Sequence, residues 1–151
     1  MDFKRLPGFY KLLNLYPPFL GAGIRVKEVS ADKTRFVAEM KLRWYNKNAA
    51  GTHFGGSLYS MCDPFFIMII HAYFGDDYIF WDKSGSINYR IPARGTVKAV
   101  FEITKDKLAE MKQQVDENGK MSFRFHTKIT DKNNRTVAEV EKEIYVRRKT
   151  S

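Results

Sequence analysis

The sequence is poor in cysteine: Cys62 stands alone in 151 residues. No internal disulfide can staple the chain, and a reducing compartment suits it. Long hydrophobic runs are missing too. The longest, Phe65 to Ile70, is far short of the roughly 20 residues that span a bilayer. No charged-then-apolar leader with a small-residue cleavage site opens the sequence, which leaves secretion without support and points to a cytoplasmic location. Helix-turn-helix, zinc-finger and RNP-like patterns are absent, so nucleic-acid binding would rest on charge alone. His53, His71 and His126 have no partners at metal-ligand spacing, so no metal centre is expected. Repeats, low-complexity tracts and linkers are lacking as well. The chain reads as one domain, with an N-terminal helical segment over 1–20 packed on a body over 21–151.

What is present is a globular balance, with 44% hydrophobic and 28% charged residues. A chain of this length buries about 68–70% of its unfolded surface. Lys and Arg number 26 against 17 Asp and Glu, a net charge of +9. That excess favours anionic partners without choosing among nucleic acid, lipid and a phosphorylated cofactor.

Residues 7–16 carry Phe9, Leu12, Leu13 and Tyr16 at helical spacing, with Pro7 at a first helical position and Pro17-Pro18 as a stop. Ile24 to Val29 and Thr34 to Trp44 read as strands, the second from the alternation of Phe36, Ala38, Met40, Leu42 and Trp44. Ser57 to Phe74 is apolar nearly all round and too long for a strand, so a buried helix of about 19 residues is expected. Strand alternation returns at Ile87–Ile91, Val97–Ile103, 121–130 and 136–146. Leu108, Met111 and Val115 mark a surface helix that ends at Asn118-Gly119, and Asn133-Asn134 suits a hairpin turn. This order predicts an α+β fold in which a curved antiparallel sheet wraps one long central helix.

The chemistry-bearing stretch runs from Asn48 to Asp63. Gly55-Gly56 opens the central helix, where first-turn N–H groups lack intrahelical partners and the dipole favours an anion or a developing oxyanion. A tight packed turn is the plainer reading of the same glycines. Asp63 sits within an apolar helix, where a buried carboxylate has to be paired or used. Followed by Pro64, it could equally cap a restarted helix. Gly55 and Asp63 are eight positions apart, about 12 Å along a helix. Both can serve one reaction only if two subunits bring antiparallel central helices together, which predicts a homodimer. Around this stretch, His53 could titrate or contact a ligand, and Tyr89 is a usable hydroxyl. Arg90, Arg94 and Lys98 could hold phosphates or simply face water. Cys62 reads as a small buried residue, and His71 as a core or interface histidine.

Asn48, Gly51, Gly55-Gly56 and Asp63 resemble the Asn…Gly…His-Gly-Gly…Asp signature of hotdog-fold acyl-CoA thioesterases of the phenylacetate-pathway type. The likeness runs over residues 20–147 and includes Tyr89-Arg90-Ile91-Pro92-Ala93. It is greatest to a domain-of-unknown-function branch with Phe before the two glycines; Phe54 stands here where the signature has His. The resemblance implies that Asp63 attacks the thioester carbonyl or activates water. It also implies that the Gly55 N–H polarises that carbonyl and that Asn48 orients the water or the thioester. His53, Phe54, Gly56, Tyr89, Arg90 and Arg94 would then contact the acyl-CoA, in a homodimer or a dimer of dimers, with no cofactor beyond the substrate's own coenzyme A. A non-catalytic acyl-CoA or fatty-acyl binding protein is the alternative on the same scaffold. A dehydratase-like enzyme using His53 and Asp63 is a third.

Overall fold

The computed structural model of the protein describes Gly8 and residues 12–150. Phe9 and the basic residues Lys4, Arg5 and Lys11 lie outside the described residues, so the expected helix over 7–16 is visible only at its end. Leu12 and Leu13 are helical. Pro17-Pro18 does more than stop that turn. It begins a second helix, α1 (Pro17–Ala22), because a proline in the first turn forfeits no intrahelical hydrogen bond. Asn14 ties this segment to the sheet. Its Oδ1 accepts from the Val26 N–H at 2.7 Å and its Nδ2 donates to the Val26 carbonyl at 3.3 Å.

Strands β1 (Ile24–Val29), β2 (Arg35–Lys41), β3 (Tyr78–Tyr89), β4 (Thr96–Glu102), β5 (Lys120–Asp131) and β6 (Thr136–Arg148) follow the expected order. Among the described residues they form one sheet in the order β1-β2-β4-β5-β6-β3. Every neighbouring pair is antiparallel. Between β2 and β3 the central helix runs in two segments, α2 (Gly55–Ser60) and α3 (Phe65–Phe74). The surface helix α4 (Lys105–Asn118) closes at Gly119 and buries Leu108, Met111 and Val115. Asn134 adopts a positive φ of 59° in the β5–β6 turn. This is the α+β hotdog architecture.

Aromatic packing fixes the helix in the sheet's concave face. Phe65 stacks on Phe101 with centroids 4.6 Å apart, and Phe66 on Phe125 at 4.9 Å. Each such pair adds roughly 0.5–1.5 kcal/mol beyond the area it buries.

Several boundaries differ from the sequence pattern for identifiable reasons. Trp44 is 83% exposed and lies past the end of β2, because the Asn46 side chain folds the chain over after Lys41. Its Nδ2 donates to the Lys41 and Ala22 carbonyls, both at 2.9 Å, and its Oδ1 accepts from the Arg43 N–H. β3 begins at Tyr78 rather than near Ile87, and Ile91 lies beyond its end. The polar stretch Asp82 to Ser86 hides that strand from an alternation test, and a bulge between Asp82 and Ser84 breaks its phase. The central helix is not buried on every side either. Ile67, Met68 and His71 are only partly covered because one flank of α3 opens onto a cavity, and Tyr73 is exposed.

Candidate active site

The turn between α2 and α3 carries Asp63. This residue is paired, as a carboxylate in an apolar helix has to be, but it is neither buried nor a helix cap. Its side chain is 57% exposed rather than buried, and the N-cap of α3 is Pro64, with no side-chain capping bond. Asp63 instead accepts a hydrogen bond from Lys142 Nζ at 2.8 Å. The same ammonium lies 3.0 Å from Asp82 Oδ2 on β3 and 5.3 Å from the centroid of the Tyr59 ring. Lys142 is itself only 1% exposed. One buried cation is therefore held between two carboxylates and an aromatic face, an arrangement that compensates its desolvation. Its partners raise the Lys142 pKa above the ordinary lysine value although burial opposes them. Burial pushes the Asp82 carboxyl up, against the pull of Lys142.

The cluster was invisible as a motif, yet Lys142 had a signal. It falls in phase with Ala138, Val140, Ile144 and Val146, the inward row of β6, where a lysine is out of place unless paired. Gly85 completes the setting. It lies opposite Lys142 in the β3–β6 register, and a Cβ there would come 2.0 Å from the Tyr59 hydroxyl. Only a residue without a side chain lets Tyr59 lie down over the lysine.

Asp63 and Asp82 stand in the wall of a cavity of about 830 Å³. Ile67, Met68 and His71 of α3, Phe80 of β3, and Leu12, Leu13, Tyr16 and Phe19 of the N-terminal segment make up most of the remaining lining. An apolar chamber of this size with a few polar groups at one side is the usual form of a small-molecule site.

Gly55 faces elsewhere. With Asn48, His53, Tyr89 and Arg90 it lines a smaller cavity of about 360 Å³, while Phe54 and Gly56 border a third. The Tyr89 hydroxyl donates to the Gly55 carbonyl at 2.9 Å. The Asn48 amide is committed to its own loop, accepting from the Ala50 and Thr52 N–H groups and donating to Thr52 Oγ1 and the His53 carbonyl. His53 is a buried residue. Its Nε2 meets the Gly95 carbonyl at 2.8 Å, its Nδ1 has no partner among the described residues, and burial lowers its pKa. Arg90 pairs with Glu139 at 2.9 Å through Nε, Arg94 donates to the Gly51 carbonyl at 3.2 Å, and Lys98 is exposed. Cys62 is fully buried, and burial pushes its thiol well up, which leaves it unreactive. The structure thus brings Asn48, His53, Gly55, Tyr89 and Arg90 together and sets Asp63 apart from them within one chain.

The architecture defines an α+β hotdog protein. Residues 9–146 match the family described as a domain of unknown function, DUF4442, and the chain belongs to that family. No curated protein matches the sequence. Among solved structures, a protein of unknown function from Pseudomonas aeruginosa, described as a probable thioesterase, superposes with a TM-score of 0.83 at 18% identity, covering 95% of this chain and 97% of that one. A thioesterase from Haemophilus influenzae gives 0.68 at 12% identity, covering 98% and 96%. A phenylacetic acid degradation protein from Thermus thermophilus, solved as a point mutant, gives 0.59 at 16% identity, covering 85% and 97%. At these identities the likeness establishes the shared fold.

Proposed function

We propose that the protein hydrolyses an acyl-CoA thioester, with the acyl chain in the 830 Å³ cavity and Asp63 as the base or nucleophile. The observation that carries this reading is a carboxylate held by a buried ammonium in the wall of a large apolar chamber. The chamber takes the hydrocarbon. The carboxylate takes a proton from water as it adds to the thioester carbonyl, or adds to that carbonyl itself. The C–S bond then breaks, the thiolate leaves and is protonated, and water supplies the oxygen of the released acid.

The carbonyl oxygen gains negative charge during attack and requires a donor. The Gly55 N–H, at the start of α2, is our candidate, with Asn48 fixing the loop that presents it. Because Gly55 and Asp63 open into different cavities of one chain, this reading needs a homodimer in which each site takes Gly55 from one subunit and Asp63 from the other. Phe54, Gly56, His53, Tyr89, Arg90 and Arg94 are assigned to the substrate's path, the two arginines to the coenzyme A phosphates. The likeness to structures called thioesterases supports the reading.

A panel of acyl-CoA substrates assayed for free thiol release tests it. Release with saturation kinetics is the expected result. Tight binding without thiol release would favour a non-catalytic acyl-CoA binding protein instead.

A further inference from the structure

Lys142 belongs to no part of the thioesterase resemblance, yet it is the most deeply buried charge among the described residues and it touches the proposed catalytic carboxylate. Four elements converge to hold it. β6 supplies the lysine, β3 supplies Asp82 and the gap at Gly85, α2 supplies Tyr59, and the following turn supplies Asp63. The strand neighbours of Lys142 in register, Gly85 and Phe125, are uncharged. Among the described residues, the ionisable groups around Nζ are thus Asp63, Asp82, Tyr59 and the buried thiol of Cys62, with His71 further along the same cavity wall.

We propose that Lys142, anchored by Asp82, is the positioning residue that fixes Asp63 in orientation at the cavity wall. The proposal rests on the reading of Asp63 as base or nucleophile. Its physical basis is the geometry. Asp63 is more than half exposed and lies on a turn, so among the described residues the 2.8 Å bond from Lys142 is the one that restrains its carboxylate. The ammonium in turn cannot swing toward solvent, because Asp82 holds it from β3 and Tyr59 covers it. Asp82 is therefore a tether, and the chain of contact runs from the rigid sheet to the exposed carboxylate. A misplacement of about 1 Å in a reacting group can cost roughly 10²-fold in rate.

The test uses the full chain and two variants. In Lys142→Met the two carboxylates face each other without their cation, and like charges so placed share a proton at higher pH. The acid limb of the kcat/KM profile is expected to move up by about one pH unit or more, and kcat to fall roughly 10–10²-fold with KM little changed. Lys142→Met combined with Asp82→Asn removes one charge of each sign. In this variant the acid limb is expected to return toward wild type while kcat stays low, because the tether is still missing. Should the single variant fail to fold, the charge-balanced one decides. A purely structural role would lower the melting temperature and leave the profile of the folded enzyme in place. Wild-type kcat in the folded double variant, or an unmoved acid limb in the folded single variant, overturns the proposal. If wild-type protein releases no thiol, the hydrolase reading fails separately. The positioning claim is then read from 13C carboxyl resonances of labelled aspartate, whose first shared protonation should move up in Lys142→Met and fall back in the double variant; no movement refutes it.

Discussion

Asp63 gets its partner from 79 residues further along the chain, and the chemistry proposed for it depends on that contact. Replacing it with Asn preserves the shape of the turn and leaves Lys142 paired with Asp82. Asp63→Asn is therefore expected to melt within a few degrees of wild type while thiol release falls at least roughly 10²-fold, the scale of a lost acid–base group. Calorimetry and a thiol assay on the same preparation check both halves. His53 gives the residue scale a pH signature. Its Nε2 already meets a carbonyl and its Nδ1 has no acceptor among the described residues, so a second proton gains no bond there, and burial holds its pKa below the ordinary 6.5. Below that value the unfolded chain binds the proton and the folded one resists it, so the His53 contribution to stability is present above about pH 6.5 and lost as the pH falls through the folded value. The melting temperature should decline from pH 7 toward pH 5, and His53→Gln should flatten that slope. An equal slope in the variant would place the acid sensitivity elsewhere. Cys62 should resist thiol reagents until the protein unfolds, which also keeps it from adding to a thiol-release assay.

At the scale of elements, two glycines that look alike in the sequence carry different constraints. A Cβ at Gly85 would meet the Tyr59 hydroxyl at 2.0 Å, with the Glu141 carbonyl close behind at 3.4 Å. A Cβ at Gly55 would meet the hydroxyl of Tyr89 at 2.8 Å, the far end of a side chain more than half exposed. Gly85→Ala should thus cost about 1–3 kcal/mol, the usual scale of overpacking, and Gly55→Ala far less. Urea denaturation of the two variants makes the comparison, and equal costs would contradict it. The same elements show what was legible in advance. Strands β4, β5 and β6 and helix α4 announced themselves because each buries one face and exposes the other, so a period can be read. β3 did not, since its middle is polar and a bulge shifts its phase. Asn48, Gly55 and Asp63 could be picked out by local pattern. Lys142 and Asp82 could not, because pairing across a sheet places them beside Asp63 from distant parts of the chain. The lysine's phase on β6 was the one trace of it.

At the scale of the whole molecule, β3 is an edge of the sheet, bonded to β6 alone among the described residues, and it is twelve residues long. An edge of that length is a template for another strand. A second copy presenting the same edge would continue the sheet with two-fold symmetry, which would supply the homodimer that the proposed shared site needs. Light scattering should report a homodimer, and a monomer retaining full activity on dilution would exclude shared sites. Mixing offers a sharper check. Asp63→Asn and Gly55→Val, each inactive alone, should recover about a quarter of wild-type activity after subunit exchange, since a mixed dimer keeps one intact site of two. No recovery despite demonstrated exchange would put both residues' roles in one chain or in neither. The helices offer no route across a bilayer: among the described residues none is long and apolar enough to cross one.

The claim on which the rest depends is that Asp63, at the wall of the apolar cavity, breaks a thioester. Single-turnover thiol release from a saturating straight-chain acyl-CoA, measured side by side for wild type and Asp63→Asn, tests it most directly. The account expects release by wild type, a fall of at least roughly 10²-fold in the variant, and acyl-CoA binding retained in both. Wild type that binds acyl-CoA without releasing thiol, or a variant that releases it at the wild-type rate, would contradict the account.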